Sequence, residues 1–221
     1  DFSLLGGTSS AIATEVAILA NAVYSVGLLS LDGRSEPTET TSSVIKTCVD
    51  NSSAKWISKS AACNLLTIHN PMVFDATKIR PHNISSRHRI MVAHHVPLNP
   101  DKRLNYDPWQ IDRLIRERFG GPAIWAPVSR ICREQFAEIK FDLPLLSRDW
   151  RNIIDVTNWG SPRLGPLREN LVIGRHSRSG PDKWPASKSE VLLCYPPMAP
   201  FEVHFLGAGN HLRTLVGGIP N

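Results

Sequence analysis

Apolar residues along this chain come in short runs, and segments rich in Gly, Pro and Ser separate them. The runs Val26 to Leu31, Cys63 to Ile68, Arg89 to Pro97 and Ala123 to Val128 are too short for helices and read as buried strands. Between them lie stretches with helical spacing. Ala11, Ile12, Val16, Ile18, Leu19 and Ala20 mark the apolar side of one helix, and Val44, Ile45 and Val49 a weaker one. In Asp107 to Phe119, Trp109, Ile111, Leu114, Ile115 and Phe119 fall on one face. Asp112, Arg113, Arg116, Glu117 and Arg118 are expected to meet water, and Gly120-Gly121-Pro122 ends the helix. Ser129 is a fitting cap for a helix over Arg130 to Lys140. Residues 143–146 and 153–156 read as irregular chain, with Trp150 and Trp159 expected in the core. Helix and strand alternating through short connections predict an α/β fold with a Rossmann-like parallel sheet.

The passage Gly160 to Pro166 holds two prolines and two glycines and is expected to form the boundary between one domain over 1–165 and another over 166–221. Beyond it the strand Leu171-Val172-Ile173 is expected to break at Gly174 into a basic loop carrying Arg175, His176, Arg178 and Lys183. A helix over Ser187 to Tyr195, a strand over Phe201 to Leu206 and a helix near Leu212 to Val216 follow. That is too little for an independent α/β domain, so the second unit reads as the beginning of another Rossmann-like domain.

Three places carry candidate chemistry. Arg175 and Lys183 suit a diphosphate held by charge-assisted hydrogen bonds; the alternative is a solvated basic loop. Leu5-Gly6-Gly7 leads into the first helix, where Thr8, Ser9 or Ser10 can cap and the helix N-terminus can meet an anion; the alternative is a plain turn. His94 and His95 end a strand whose alternation points their rings to opposite faces, so only one can face a ligand. That ring can hydrogen-bond a sugar hydroxyl or stabilise developing charge; the alternative is a structural pair. His69 also ends a strand, where open α/β sheets bind ligands, but a histidine beside a proline equally reads as a satisfied loop residue.

Composition narrows the classes. The chain has 221 residues, 42% hydrophobic and 20% charged, as in an ordinary soluble globule. A formal charge of +5 and a pI near 9.2 favour an anionic partner. Nucleic acid is not expected, because no block of like charge and no basic-aromatic stripe occurs. Cys48, Cys63, Cys132 and Cys194 lack CxxC spacing and read as buried, reduced thiols, and no histidine spacing suggests zinc or another metal. The longest apolar passage, Val16 to Leu31, is interrupted by Asn21, Ser25 and Gly27 and does not read as a membrane span. The chain opens on Asp1 with no Met and no basic n-region, so a cytoplasmic piece of a longer protein is expected.

Four motifs in order, Leu5-Gly6-Gly7-Thr8, Val92-Ala93-His94-His95-Val96-Pro97, Ala126-Pro127-Val128-Ser129 and Val172-Ile173-Gly174-Arg175 with Lys183, resemble those of GT-B fold glycosyltransferases, close to the retaining family 4. The resemblance implies two Rossmann-like domains, with a nucleotide-sugar donor mainly on the second and a glycan or lipid-linked acceptor on the first. It implies that Gly6, Gly7 and Thr8 approach the donor diphosphate and that Arg175, Arg178 and Lys183 neutralise it. His95 or His94 would contact the transferred sugar. No metal and no cofactor besides the donor substrate are implied, and the setting would be cytoplasmic, with peripheral contact at the inner membrane surface. The chain departs from the family in three ways. No strand precedes the Gly-Gly loop, Arg175 and Lys183 are widely spaced, and no two glutamates lie eight positions apart. A piece that binds donor weakly or not at all is therefore expected. The reading from another class is a non-catalytic α/β binding or scaffold module whose basic loop meets an anion. An oxidoreductase or epimerase is disfavoured, since no G-x-G-x-x-G follows a strand and no Tyr-x-x-x-Lys occurs.

Overall fold

A computed structural model describes residues 2, 7–31, 34–74, 83–154, 171–177, 183–198, 200–207 and 209–217. Contacts divide the chain into unit 1, Asp1–Gly160, and unit 2, Ser161–Asn221. The Gly160 to Pro166 passage lies outside the described residues except as that boundary, and so does Trp159.

Unit 1 is mixed α/β with parallel strands. In order it forms α1 (Gly7–Asn21), β1 (Gly27–Leu29), α2 (Ser43–Asp50), β2 (Lys55–Ile57), β3 (Ser60–His69), a turn of 3-10 helix (Pro71–Phe74), β4 (Asn83–Ala93), α3 (Pro108–Phe119), β5 (Ile124–Pro127) and α4 (Arg130–Glu138). Among the described residues the expected single sheet is two: β1 pairs with β2, and β4 lies between β3 and β5, all parallel. Strand β2 has no apolar run to announce it. It forms because neighbouring residues on a strand face opposite ways: Leu28 and Trp56 pack with one apolar cluster, Leu29 and Ile57 with another.

The first cluster joins α1, β1 and α2 through Phe2, Ile12, Val16, Leu28, Ile45 and Cys48. Helix α1 already begins at Gly7, so Thr8, Ser9 and Ser10 are helical residues, not the expected caps. Its last turns also differ from expectation, since Ile18 and Leu19 are exposed. The second cluster packs α3 and α4 on the three-stranded sheet. Its centre is Trp125, fully buried, with Phe136 and Phe141 edge-on at 5.7 and 5.3 Å between centroids.

Helix α3 follows its local signals. The Asp107 side chain accepts from the Trp109 and Gln110 backbone N–H groups, a cap worth about 1 kcal/mol. Pro108 begins the helix, and Gly120 ends it at φ 74°, the left-handed conformation that costs glycine nothing. Two positions on α3 reverse the expected faces. Trp109 is partly exposed and donates its indole N–H to Asp142 at 2.9 Å, whereas Asp112 is buried beside Ile111 and Ile115 and accepts from Arg116. Ser129 caps α4 as expected, accepting from the Cys132 N–H.

Unit 2 forms β6 (Leu171–His176), α5 (Lys188–Cys194), β7 (Phe201–Leu206) and α6 (Gly209–Val216), with β6 and β7 parallel. Trp184, Val191 and Leu212 make its core, with Tyr195 and Phe205 against them. The expected break at Gly174 does not occur. The ladder continues from Gly174 opposite His204 to His176 opposite Leu206, so Arg175 is a strand residue.

All four cysteines are free: Cys48 and Cys132 are buried, Cys63 is half-buried, and Cys194 is exposed on α5, contrary to the expectation that all are buried. Among the described residues no helix is long and apolar enough to cross a membrane.

Candidate functional site

Parallel pairing brings the carboxyl ends of β3 and β4 level, because His69 is the register partner of Val92. Each strand stops there for a local reason. After His69, Asn70 takes φ 75°, donates its N–H to the Val92 carbonyl at 3.0 Å, and accepts from Met72 N–H through Oδ1. Buried Pro71 follows and cannot continue a ladder. Strand β4 stops at Ala93, four residues earlier than the expected Pro97, since its partner β5 itself ends at Pro127 opposite Ala93. The His94 N–H then turns back onto the Val92 carbonyl. The two histidines are therefore in a turn, and strand alternation no longer assigns their faces.

The structure separates them. His94 Nε2 lies 3.0 Å from His69 Nδ1, and His69 Nε2 lies 3.3 Å from Glu15 Oε2. The other Glu15 oxygen accepts the Trp150 indole N–H at 2.8 Å. His95 stays outside this row. It is exposed, and its carbonyl accepts the Tyr106 hydroxyl at 2.9 Å, which anchors the turn and leaves the ring out of the contact.

Glu15 and Trp150 come from distant parts of unit 1. Glu15 stands one helical turn from Ala11 and Ile12, at the margin of the stripe that α1 buries. Trp150 is delivered by a segment running beside β5: Trp125 N–H donates to Pro144, Leu146 N–H to Trp125, and Trp150 N–H to Pro127. Arg133 fixes that segment to α4, donating to Asp149 at 2.7 Å and to the Leu146 carbonyl at 2.9 Å.

The His69 and Glu15 side chains are only 9% and 13% exposed, so the row is largely shielded from water. Burial pushes the His94 pKa down to about 4, with the neighbouring His69 and His95 adding to the fall and Glu15 opposing it. His94 is therefore neutral at pH 7. Burial works against the Glu15 charge, but the hydrogen bond and charge of His69 and the Trp150 N–H together hold its carboxyl below the ordinary value. The proton positions follow. A carboxylate only accepts, so His69 carries its proton on Nε2 toward Glu15. When His69 carries that proton alone, its Nδ1 is bare and the 3.0 Å contact uses the proton of His94 Nε2. In that state His94 Nδ1 is a bare acceptor, and it has no hydrogen-bond partner among the described residues. The nitrogens run in a row and do not converge on a point, and among the described residues no group of three or more His, Cys, Asp or Glu side chains could hold a metal ion.

The remaining expected site residues fall elsewhere. Gly7 and Thr8 open α1, and a Cβ added at Gly7 would meet nothing within 4 Å, so no close approach requires a glycine there. Gly6 and Arg178 lie outside the described residues. In unit 2, Arg175 is held inward. It donates to the Tyr195 hydroxyl at 2.8 Å and to the Lys183 carbonyl at 2.6 Å, and its guanidinium carbon lies 4.9 Å from the Trp184 ring centroid. Arg175 Nε is buried without a hydrogen-bond partner. Lys183 meets Arg175 through its backbone, and its side chain is exposed.

Fold and site together define an α/β protein with a carboxylate, two imidazoles and an indole hydrogen-bonded in a row at the carboxyl ends of parallel strands. No family model, curated protein or solved structure matches the chain.

Proposed function

We propose that the chain belongs to a glycosyltransferase with a GT-B type architecture. In this reading unit 1 is the Rossmann-like acceptor-side domain, and His94 meets a sugar hydroxyl. The observation that carries the reading is the neutral, half-buried His94 imidazole, one nitrogen held by His69 and the other without a partner, at the strand edge where α/β folds bind ligands. A neutral ring with one bare nitrogen recognises a hydroxyl by accepting its proton, which a charged ring cannot do. In the same reading, unit 2 begins the donor-side domain and Lys183 meets the diphosphate of a nucleotide-sugar. Arg175 shapes the end of β6 and is not free to clamp the diphosphate, because its guanidinium is already engaged by Tyr195, Lys183 and Trp184. The formal +5 charge and the four free thiols suit a reducing compartment and an anionic membrane surface carrying the acceptor.

Histidine-selective NMR during titration with glycans, glycolipid headgroups and nucleotide-sugars tests the proposal. Shifts confined to the His69 and His94 rings on adding a glycan, lost in His94→Ala, are expected. Rings that stay unmoved by every sugar and every nucleotide-sugar would remove the reading.

A further inference from the structure

We propose that Glu15, His69 and His94 form a proton relay in which His94 Nδ1 is the catalytic base and the proton it takes up is stored as charge on His69. The relay rests on the reading of His94 as the ligand-facing ring, but it does not depend on the ligand being a sugar. Its basis is the order of contacts: Glu15 Oε2 to His69 Nε2 at 3.3 Å, then His69 Nδ1 to His94 Nε2 at 3.0 Å, with His94 Nδ1 unpartnered among the described residues.

The step balances in these groups. A ligand hydroxyl gives its proton to His94 Nδ1, and the oxygen keeps the electron pair. His94 Nε2 passes its own proton to His69 Nδ1, so His94 is neutral again with its proton on the other nitrogen. His69, now protonated on both nitrogens, is an imidazolium against the Glu15 carboxylate. In a group transfer the hydroxyl oxygen uses the freed pair to bond the donor's anomeric carbon. The bond from that carbon to the diphosphate breaks, and its electron pair leaves on the phosphate oxygen.

Each titratable group that faces the row among the described residues has a place in this scheme. Glu15 on α1 supplies the counter-charge, and His69 at the end of β3 holds the proton. His94 after β4 exchanges it, while exposed His95 adds a repulsion that disfavours charge on His94. Trp150, which does not titrate, ties down the second Glu15 oxygen. A lone buried imidazole would be a poor base, since burial opposes its charge. Handing the proton one ring inward places that charge next to a carboxylate and removes the difficulty. Glu15 and Trp150 are therefore positioning residues, and within the row His94 is the residue that touches the ligand.

Nitrogen-15 NMR of the ligand-free chain, labelled in histidine, reads this directly. The expected result is a His94 ring protonated on Nε2 and bare on Nδ1 at neutral pH, with the first proton taken up on acidification appearing at His69. The row titrates as a unit, and Glu15→Gln is expected to lower its proton affinity about tenfold or more. A His94 ring protonated on Nδ1, a first imidazolium at His94, or a Glu15→Gln chain that titrates as the parent does would each overturn the relay. If Glu15→Gln does not fold, the parent spectra decide the point alone. Because no ligand is present, a failed relay is distinguishable from a failed sugar reading, which the ligand titration reports.

Discussion

Unit 1 and unit 2 each place a nitrogen-rich side chain at the end of a parallel strand, and the two are held in opposite ways. Arg175 of β6 turns both terminal nitrogens to partners inside its own unit, the Tyr195 hydroxyl and the Lys183 carbonyl, and lays its plane near the Trp184 ring. His94, just past β4, is gripped on one side only. His69 holds Nε2, and Nδ1 has no partner among the described residues. The guanidinium carries the permanent charge, but its one unpartnered atom, Nε, is buried, whereas the neutral imidazole is half-buried and has an atom to offer. Formal charge identifies where an anion is tolerated. Unspent hydrogen-bonding capacity that is not sealed inside the unit identifies where a ligand is met.

If Arg175 is structural, the largest effect in unit 2 should come from the ring beneath it. Trp184→Ala removes the largest side chain of that small core and should cost roughly 3–5 kcal/mol, read as lost hydrogen-exchange protection of the β6 and β7 amides. Protection that survives the change would mean Trp184 is not the centre of that core. In unit 1 the matching effect is electrostatic. Since the folded His94 pKa lies near 4 and the unfolded value near 6.5, the unfolded chain binds the proton first as pH falls. Stability is therefore complete above about pH 6.5 and is lost on the way to about pH 4, by on the order of 3 kcal/mol. Urea unfolding across that range should show the loss in the parent chain and a much shallower one in His94→Gln. An equal slope in both would assign the acid sensitivity elsewhere.

The features of this contrast that could be read from the sequence are those with local signals. Helix α3 is bracketed by Asp107-Pro108 and Gly120, and α4 starts at Ser129, because caps act over three or four residues. Strands β3, β4 and β5 each contain a short apolar run. Strand β2 has none, and is recruited by tertiary packing of Trp56 and Ile57. The row of four side chains was out of reach for the same reason. Trp150 and Glu15 are 135 positions apart, and His69 and His94 are 25 apart, so no spacing rule links them. The sequence marks His69 and His94 singly, each as a strand-end candidate, and it carries one further trace in Glu15, a charge at the margin of the apolar stripe of α1. Arg175 misled in the other direction. Gly174 suggested a break, but Gly174 continues the ladder opposite His204, and the side chain that follows meets Tyr195 and Trp184 from within the strand.

Arg175→Met keeps much of the side chain's bulk and removes the two hydrogen bonds and the contact with Trp184. The expected cost is about 2 kcal/mol in unit 2, smaller than for Trp184→Ala, because Arg175 is partly exposed. A deficit in nucleotide-sugar binding with unchanged amide protection would reverse the assignment and make Arg175 a ligand contact.

The smallest expected effect is the sharpest test of how the row is built. Trp150→Phe keeps an aromatic ring and deletes only the N–H that Glu15 accepts at 2.8 Å, at a cost of about 1 kcal/mol at neutral pH. Glu15 is held below the ordinary carboxyl value, so it stabilises the fold above about pH 4.5, and this contribution is lost as pH falls through the folded value. Without the indole N–H the folded value moves back toward 4.5, and there is less to lose. The variant should therefore start lower at pH 7, fall less steeply below about pH 4.5, and converge with the parent chain in acid. Parallel curves would mean that Trp150 acts through the packing of its ring and that the carboxylate of Glu15 is held by His69 alone.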